Sequence, residues 1–185
     1  MENQKFSLHH IIRESSLKEN APLLIMFHGY GSDENDLFSF ASELPEELFI
    51  ISVRAPKSIQ PYGNAWYTIN FEASGGKWSD DEEAIVSRDK IAEFIDFACI
   101  KYPVDENNVT LLGFSQGTIL SYAVALTYPE KIKNIIALSG YINVGILPKD
   151  ISDKDYSHLR FYCSHQGPRA ALRASCCRTL IAVRR

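Results

Sequence analysis

Val109-Thr110-Leu111-Leu112-Gly113-Phe114-Ser115-Gln116-Gly117 decides how the rest of the chain is read. Its first four residues are apolar or β-branched and predict a short buried strand. Gly113 and Gly117 then flank Ser115 at two residues on either side, the G-x-S-x-G spacing of a nucleophile elbow. In that motif a sharp strand-to-helix turn lifts the serine hydroxyl clear of a sheet in a strained backbone conformation, and the flanking positions tolerate almost no side chain. Thr118 to Leu126 continues as an apolar, alanine-containing helix, and Tyr128-Pro129 predicts its end. The competing reading, an ordinary strand-turn-helix crossover with an incidental serine, has less support from this context.

A second glycine-bearing turn lies upstream. Leu23-Leu24-Ile25-Met26-Phe27 is an unbroken apolar run of strand length, the pattern of a parallel strand covered on both faces. It leads into His28-Gly29-Tyr30-Gly31, whose glycines let backbone N–H groups turn toward a ligand, as an oxyanion-hole loop requires. Asp33-Glu34-Asn35-Asp36 places acids in the first turn of a following helix, expected over residues 37 to 44 and closed by Pro45.

The remaining segments alternate between strand and helix patterns. Residues 6 to 12 read as an edge strand, and residues 48 to 53 as another buried strand followed by Arg54-Ala55-Pro56. From there to Ser79 the sequence predicts a long loop rich in aromatic residues. Trp66 and Tyr67 either border the cleft on its acyl side or plug the edge of the core. We assign them to substrate binding. Ser79-Asp80-Asp81-Glu82 predicts a helix start with Ser79 as cap, and Ile91, Phe94, Ile95, Ala98 and Tyr102 share one face of that helix up to Pro103. Strands are expected at residues 134 to 138 and 159 to 165. The order is that of an α/β domain with a mostly parallel sheet.

At 185 residues, 45% of them hydrophobic, the chain is long enough for one domain with a substantial core. A net charge of −4 argues against nucleic acid or an anionic membrane as the main partner. No apolar run predicts a membrane span, and the first residues lack the apolar core of a signal peptide, so the cytoplasm is the expected compartment. The four cysteines, Cys99, Cys163, Cys176 and Cys177, suit neither a disulfide framework nor the paired spacing of a zinc site, so no metal and no cofactor is expected. All 23 acidic residues precede position 166, whereas the last twenty residues carry five arginines and no lysine.

With both glycine turns, Arg54-Ala55-Pro56 and Trp66-Tyr67 in place, residues 6 to 165 resemble the carboxylesterase, phospholipase and acyl-protein-thioesterase-like branch of the α/β-hydrolases. The resemblance implies a mostly parallel sheet flanked by helices and a small-molecule ester or thioester substrate. It implies Ser115 as nucleophile, with the backbone N–H groups of Tyr30 and Gln116 as the oxyanion hole; in such holes one donor is worth ~2.7–4 kcal/mol of transition-state stabilisation. Thr118 stands where many members carry a further glycine. The family's Gly-x-x-Asp after the last of these strands is replaced by Gln166-Gly167-Pro168-Arg169, and no later histidine follows. Residues 1–165 are therefore expected to form an incomplete hydrolase domain, with the C-terminal strand and helix missing or replaced by an Arg- and Cys-rich tail, 166–185, that is not native to the fold. His158, with Asp153 or Asp155, is a weak substitute base. The alternatives are an inactive truncated hydrolase that keeps only a ligand-binding cleft and a partner-binding protein that uses the basic tail.

Overall fold

The computed structural model describes residues 8–71 and 77–164. The expectations for residues 166–185, for the missing C-terminal elements and for His165 lie outside them, as does the start of the first strand. In chain order the elements are β1 (His10–Arg13), β2 (Ala21–Phe27), α1 (Asn35–Phe38), β3 (Phe49–Val53), β4 (Lys57–Ser58), β5 (Asn64–Ala65), β6 (Ile69–Phe71), β7 (Lys77–Ser79), α2 (Asp81–Lys101), β8 (Val104–Phe114), α3 (Gln116–Thr127), β9 (Asn134–Leu138) and β10 (Arg160–Ser164). Short 3-10 turns join several of them.

Six strands form one sheet in the order β1-β3-β2-β8-β9-β10. Every neighbouring pair is parallel except β1 with β3, which closes the sheet with an antiparallel edge. The apolar run of β2 is covered on both faces, as its composition requires. Leu23, Ile25 and Phe27 join the large core beneath α2 and α3, whereas Leu24 and Met26 pack with Leu37, Ala41 and Ile50 on the other side. Burying one such side chain stabilises the fold by ~1.5–3 kcal/mol, so the sheet centre is the strongest part of the domain. Every residue of α3 is buried. None of the described helices is long and apolar enough to cross a membrane.

Four elements differ from the sequence expectation, each for a local reason. The helix expected over 37–44 is a single turn, Asn35–Phe38, followed by a 3-10 turn at Ala41–Glu43. Ser39 Oγ donates to the Asp36 carbonyl at 2.7 Å, a side-chain competitor for the helical ladder at the point where it stops. The strand before the elbow begins at Val104, five residues early, because Val104 and Asp105 pair with Ala21 and Pro22 before a break in register resumes pairing at Val109 with Leu23. The long loop is not structureless: β4 pairs with β5 and β6 with β7 in two antiparallel hairpins. Asp80, not Ser79, caps α2, accepting from the Glu83 N–H at 3.0 Å.

Glu83 does not return to the cap. Its carboxylate accepts from the Thr68 N–H and hydroxyl, both at 2.7 Å, and pairs with Lys57, so one side chain ties α2 to β4 and to the segment between the hairpins. The Lys57 ammonium, then the Thr68 hydroxyl, hold the Glu83 carboxyl down at about 2. A depressed carboxyl pKa contributes stability above its unfolded value, near 4.5, that disappears as pH falls toward about 2. Glu83→Gln is expected to lower the melting temperature at pH 7 by about 2–4 °C, with the difference from the parent chain shrinking between pH 4.5 and pH 2. Paired thermal melts across that range check it.

Candidate active site

The parallel neighbours β2, β8 and β9 all end on one edge of the sheet. Register pairs Phe27 with Gly113 and Phe114 with Leu138, so the turns that follow these strands stand side by side there. Ser115 occupies the middle turn at φ 51° and ψ −110°, a left-handed conformation that a side chain rarely adopts. Its N–H donates to the Leu138 carbonyl at 2.9 Å, and its carbonyl accepts the first helical bond of α3 from Ile119 at 3.1 Å.

The glycines serve close packing. A Cβ on Gly117 would lie 2.0 Å from the Phe27 carbonyl oxygen, and one on Gly113 would lie 2.5 Å from the backbone of Gly117 and Thr118. The first turn of α3 therefore rests directly on the ends of β2 and β8. On the other side, a Cβ on Gly29 would come 3.4 Å from Ser115 Cβ, which brings the β2 turn against the serine. Tyr30 follows Gly29. Neither the Tyr30 nor the Gln116 N–H is taken up by an acceptor among the described residues. Both N–H groups belong to residues at the serine turn or beside it: Gln116 follows Ser115, and Tyr30 follows Gly29. No carboxylate or imidazole among the described residues is hydrogen-bonded to the Ser115 hydroxyl.

The Gln116 side chain has a further job that its position in the motif does not reveal. Buried to 2% exposure, its amide oxygen accepts from the Trp66 N–H at 2.9 Å and its amide nitrogen donates to the Tyr67 carbonyl at 2.8 Å. Trp66 in turn donates through its indole nitrogen to the His28 carbonyl at 3.0 Å and stands edge-on to Phe27, while Ser87 of α2 donates to the Trp66 carbonyl at 2.5 Å. Trp66 and Tyr67 are 2% and 1% exposed. Of the two alternatives left by the sequence, the rings take the core position beneath the loop and do not form an open wall. The partly exposed aromatic residues that follow or precede the site turns are Tyr30, Phe114 and Tyr141, at 39%, 40% and 52%. Burial first, and then the charges of Tyr141 and Asp81, push the Tyr67 hydroxyl pKa up.

The described histidines are committed elsewhere. His28 Nε2 accepts from the Ala55 N–H at 3.0 Å, which leaves the proton on Nδ1 to be donated to the Gly29 carbonyl at 2.8 Å. Burial pushes its pKa below the ordinary 6.5, so it is a neutral brace of the loop. His9 lies 3.4 Å from Glu34, a buried carboxylate bound in bidentate fashion by Arg54. His10 contacts the Leu8 carbonyl and the Tyr102 hydroxyl. His158 precedes β10 and therefore stands at the opposite edge of the sheet from Ser115, with Nε2 2.8 Å from the Pro129 carbonyl oxygen. That overturns it as a substitute base.

Comparison with known proteins places the chain among esterase-like relatives. The chain is 26% identical over 156 residues to Esterase YpfH of Escherichia coli, covering 81% of this chain and 64% of that protein, and 31% identical over 78 residues to acyl-protein thioesterase 1 of Schizosaccharomyces pombe, covering 42% of this chain and 34% of that protein. It spans less than two thirds of the length of these curated relatives. Its fold is shared with a carboxylesterase from Mesorhizobium loti (TM-score 0.74, 15% identity, 97% of this chain and 81% of that one) and with the Bacillus cereus carboxylesterase (TM-score 0.74, 19% identity, 96% and 79%). A family model described as Phospholipase/Carboxylesterase matches residues 9–165. With that match over most of its length, the chain belongs to the phospholipase/carboxylesterase family.

Proposed function

We propose that this protein is a serine hydrolase of carboxylic esters or thioesters that works through an acyl-enzyme on Ser115. The observation that carries the reading is the Ser115 turn at φ 51°, packed against the Gly29 turn, with the N–H groups of Tyr30 and Gln116 bonded to no described backbone acceptor. In this mechanism the Ser115 oxygen attacks the substrate carbonyl carbon as its proton passes to a base, and the carbonyl oxygen takes negative charge between the two N–H donors. Collapse expels the alcohol or thiol, leaving an ester on Ser115 that water then cleaves. The names of the relatives, an esterase and an acyl-protein thioesterase, support the substrate class.

We assign the substrate wall to Tyr30, Phe114 and Tyr141, exposed aromatic residues at the three turns on this edge of the sheet, whose rings suit an apolar acyl or aryl group. Trp66 and Tyr67 support the site from below, with their contribution to binding transmitted through the loop they hold. Tyr141→Ala is expected to reduce the preference for longer over shorter acyl chains by about 10-fold, the effect of one to three kcal/mol of apolar contact. Trp66→Ala is expected to act on stability, by ~3–5 kcal/mol, and to lower turnover for all chain lengths alike. Rates across a series of 4-nitrophenyl esters, with melts of both variants, separate the two effects.

Hydrolysis of a 4-nitrophenyl ester at ~1–10³ s⁻¹, typical of competent enzymes, and its loss by a factor of about 10⁶ in Ser115→Ala test the mechanism itself. Turnover that does not depend on Ser115 overturns it. Binding of the ester with no Ser115-dependent turnover is the outcome that belongs to an inactive hydrolase retaining only its cleft.

The neutral state of His28 sets a pH dependence. Its folded pKa lies below the unfolded 6.5, so its share of stability is complete above that value and is lost as pH falls through the folded pKa. His10, also lowered by burial, acts in the same direction. Stability from urea titrations is expected to decline below about pH 6.5, and His28→Asn, less stable throughout, is expected to show a shallower decline.

A further inference from the structure

Thr118, the position at which the sequence departs from the glycine common in the family, is fully buried at 0% exposure in the first turn of α3. Its hydroxyl lies 2.5 Å from the Gly113 carbonyl oxygen at the end of β8 and 2.7 Å from the Leu138 carbonyl oxygen at the end of β9, and it accepts from the Leu138 N–H at 3.1 Å. One hydroxyl proton is thus offered to two carbonyl oxygens while its own oxygen receives the next strand's N–H. The same Leu138 carbonyl is the acceptor of the Ser115 N–H. On the far side, a Cβ added to Gly140 would lie 2.4 Å from Thr118 Cβ and Cγ2, so the threonine fills space that only a glycine at 140 leaves open.

We propose that Thr118 is a positioning residue for Ser115: its hydroxyl cross-braces the serine turn to the end of β9, and its methyl interlocks with Gly140. The proposal rests on the reading of Ser115 as nucleophile only for its effect on reactivity; the brace itself is independent of it. A strained φ persists only when its surroundings over-determine it, and the Ser115 N–H has its acceptor on the carbonyl that Thr118 also contacts. Loss of the hydroxyl leaves the Leu138 N–H and the Gly113 carbonyl without this partner and lets the serine turn relax.

The test uses the full chain with Thr118→Val, which keeps the bulk and removes the hydroxyl, and Thr118→Ser, which keeps the hydroxyl. Amide hydrogen exchange at Ser115 and Leu138 is measured by NMR, and the rate of covalent modification of Ser115 by an alkyl fluorophosphonate by mass spectrometry. The valine variant is expected to exchange both amides about 10-fold faster and to be modified about 10-fold more slowly, the effect of one lost buried hydrogen bond. The serine variant is expected to restore both. Wild-type exchange and modification rates in the valine variant, even with a lower melting temperature, overturn the proposal by showing a merely structural residue. If the parent chain is not modified at Ser115, the hydrolase reading fails and the exchange data alone decide the brace. Should the valine variant not fold, Thr118→Ala against Thr118→Ser decides it, since both lose the methyl and only alanine loses the hydroxyl: alanine is expected to exchange both amides about 10-fold faster and to be modified about 10-fold more slowly than serine, and equal rates in the two overturn the proposal.

Discussion

The domain depends on holding one residue, Ser115, in a backbone conformation it does not favour. At φ 51° and ψ −110° a serine costs of order 1–3 kcal/mol, and the surroundings meet that cost by leaving the turn nowhere to relax. Below it, α3 lies on the Phe27 carbonyl with no room for a side chain at 117. Beside it, the Leu138 carbonyl accepts the serine N–H. A helix buried along its whole length then fixes the direction in which the turn must leave the sheet.

Electrostatics around the turn support the same rigidity without supplying chemistry. Glu34 is 3% exposed, yet the Arg54 guanidinium beside it holds its carboxyl below the usual carboxylate range, so a buried charge is kept paired. Removing one partner of such a pair is far more damaging than the pair is beneficial. His28, neutral and satisfied at both ring nitrogens, joins the turn after β2 to the turn after β3 through the Ala55 N–H. The loop bearing the Tyr30 donor is also secured by Gly31, at φ +81°, whose N–H donates to the Asn64 carbonyl of β5 at 2.9 Å.

Features carried by near neighbours in the chain were legible in the sequence. The G-x-S-x-G spacing, the two-faced apolar run of β2, the end of α3 before Tyr128-Pro129 and the bounds of β9 all follow from residues a few positions apart. Features set by distant contacts were not. Nothing local to Gln116 says that its side chain binds the backbone of Trp66 and Tyr67 some fifty residues earlier, nor that Trp66 turns its indole inward to the His28 carbonyl. An aromatic pair in a long loop has the same composition whether it faces a cleft or fills a core. The same limit explains the hairpins: β4–β5 is stabilised in part by a bridge from Asn64 to Ser32, a partner that no local pattern displays.

Gln116 unites two tasks in one residue: in the proposed hydrolase its main-chain N–H faces the substrate oxygen, while its side chain grips the backbone of Trp66 and Tyr67. In that reading the separation of the Tyr30 and Gln116 N–H groups is set by the amide and indole hydrogen bonds that join Gln116, Trp66, Tyr67 and His28. The side chains that meet solvent, Tyr30, Phe114 and Tyr141, make none of these hydrogen bonds. Under the proposed reading, the solvent-facing rings can change without touching those hydrogen bonds, so substrate preference and donor spacing are free to vary independently.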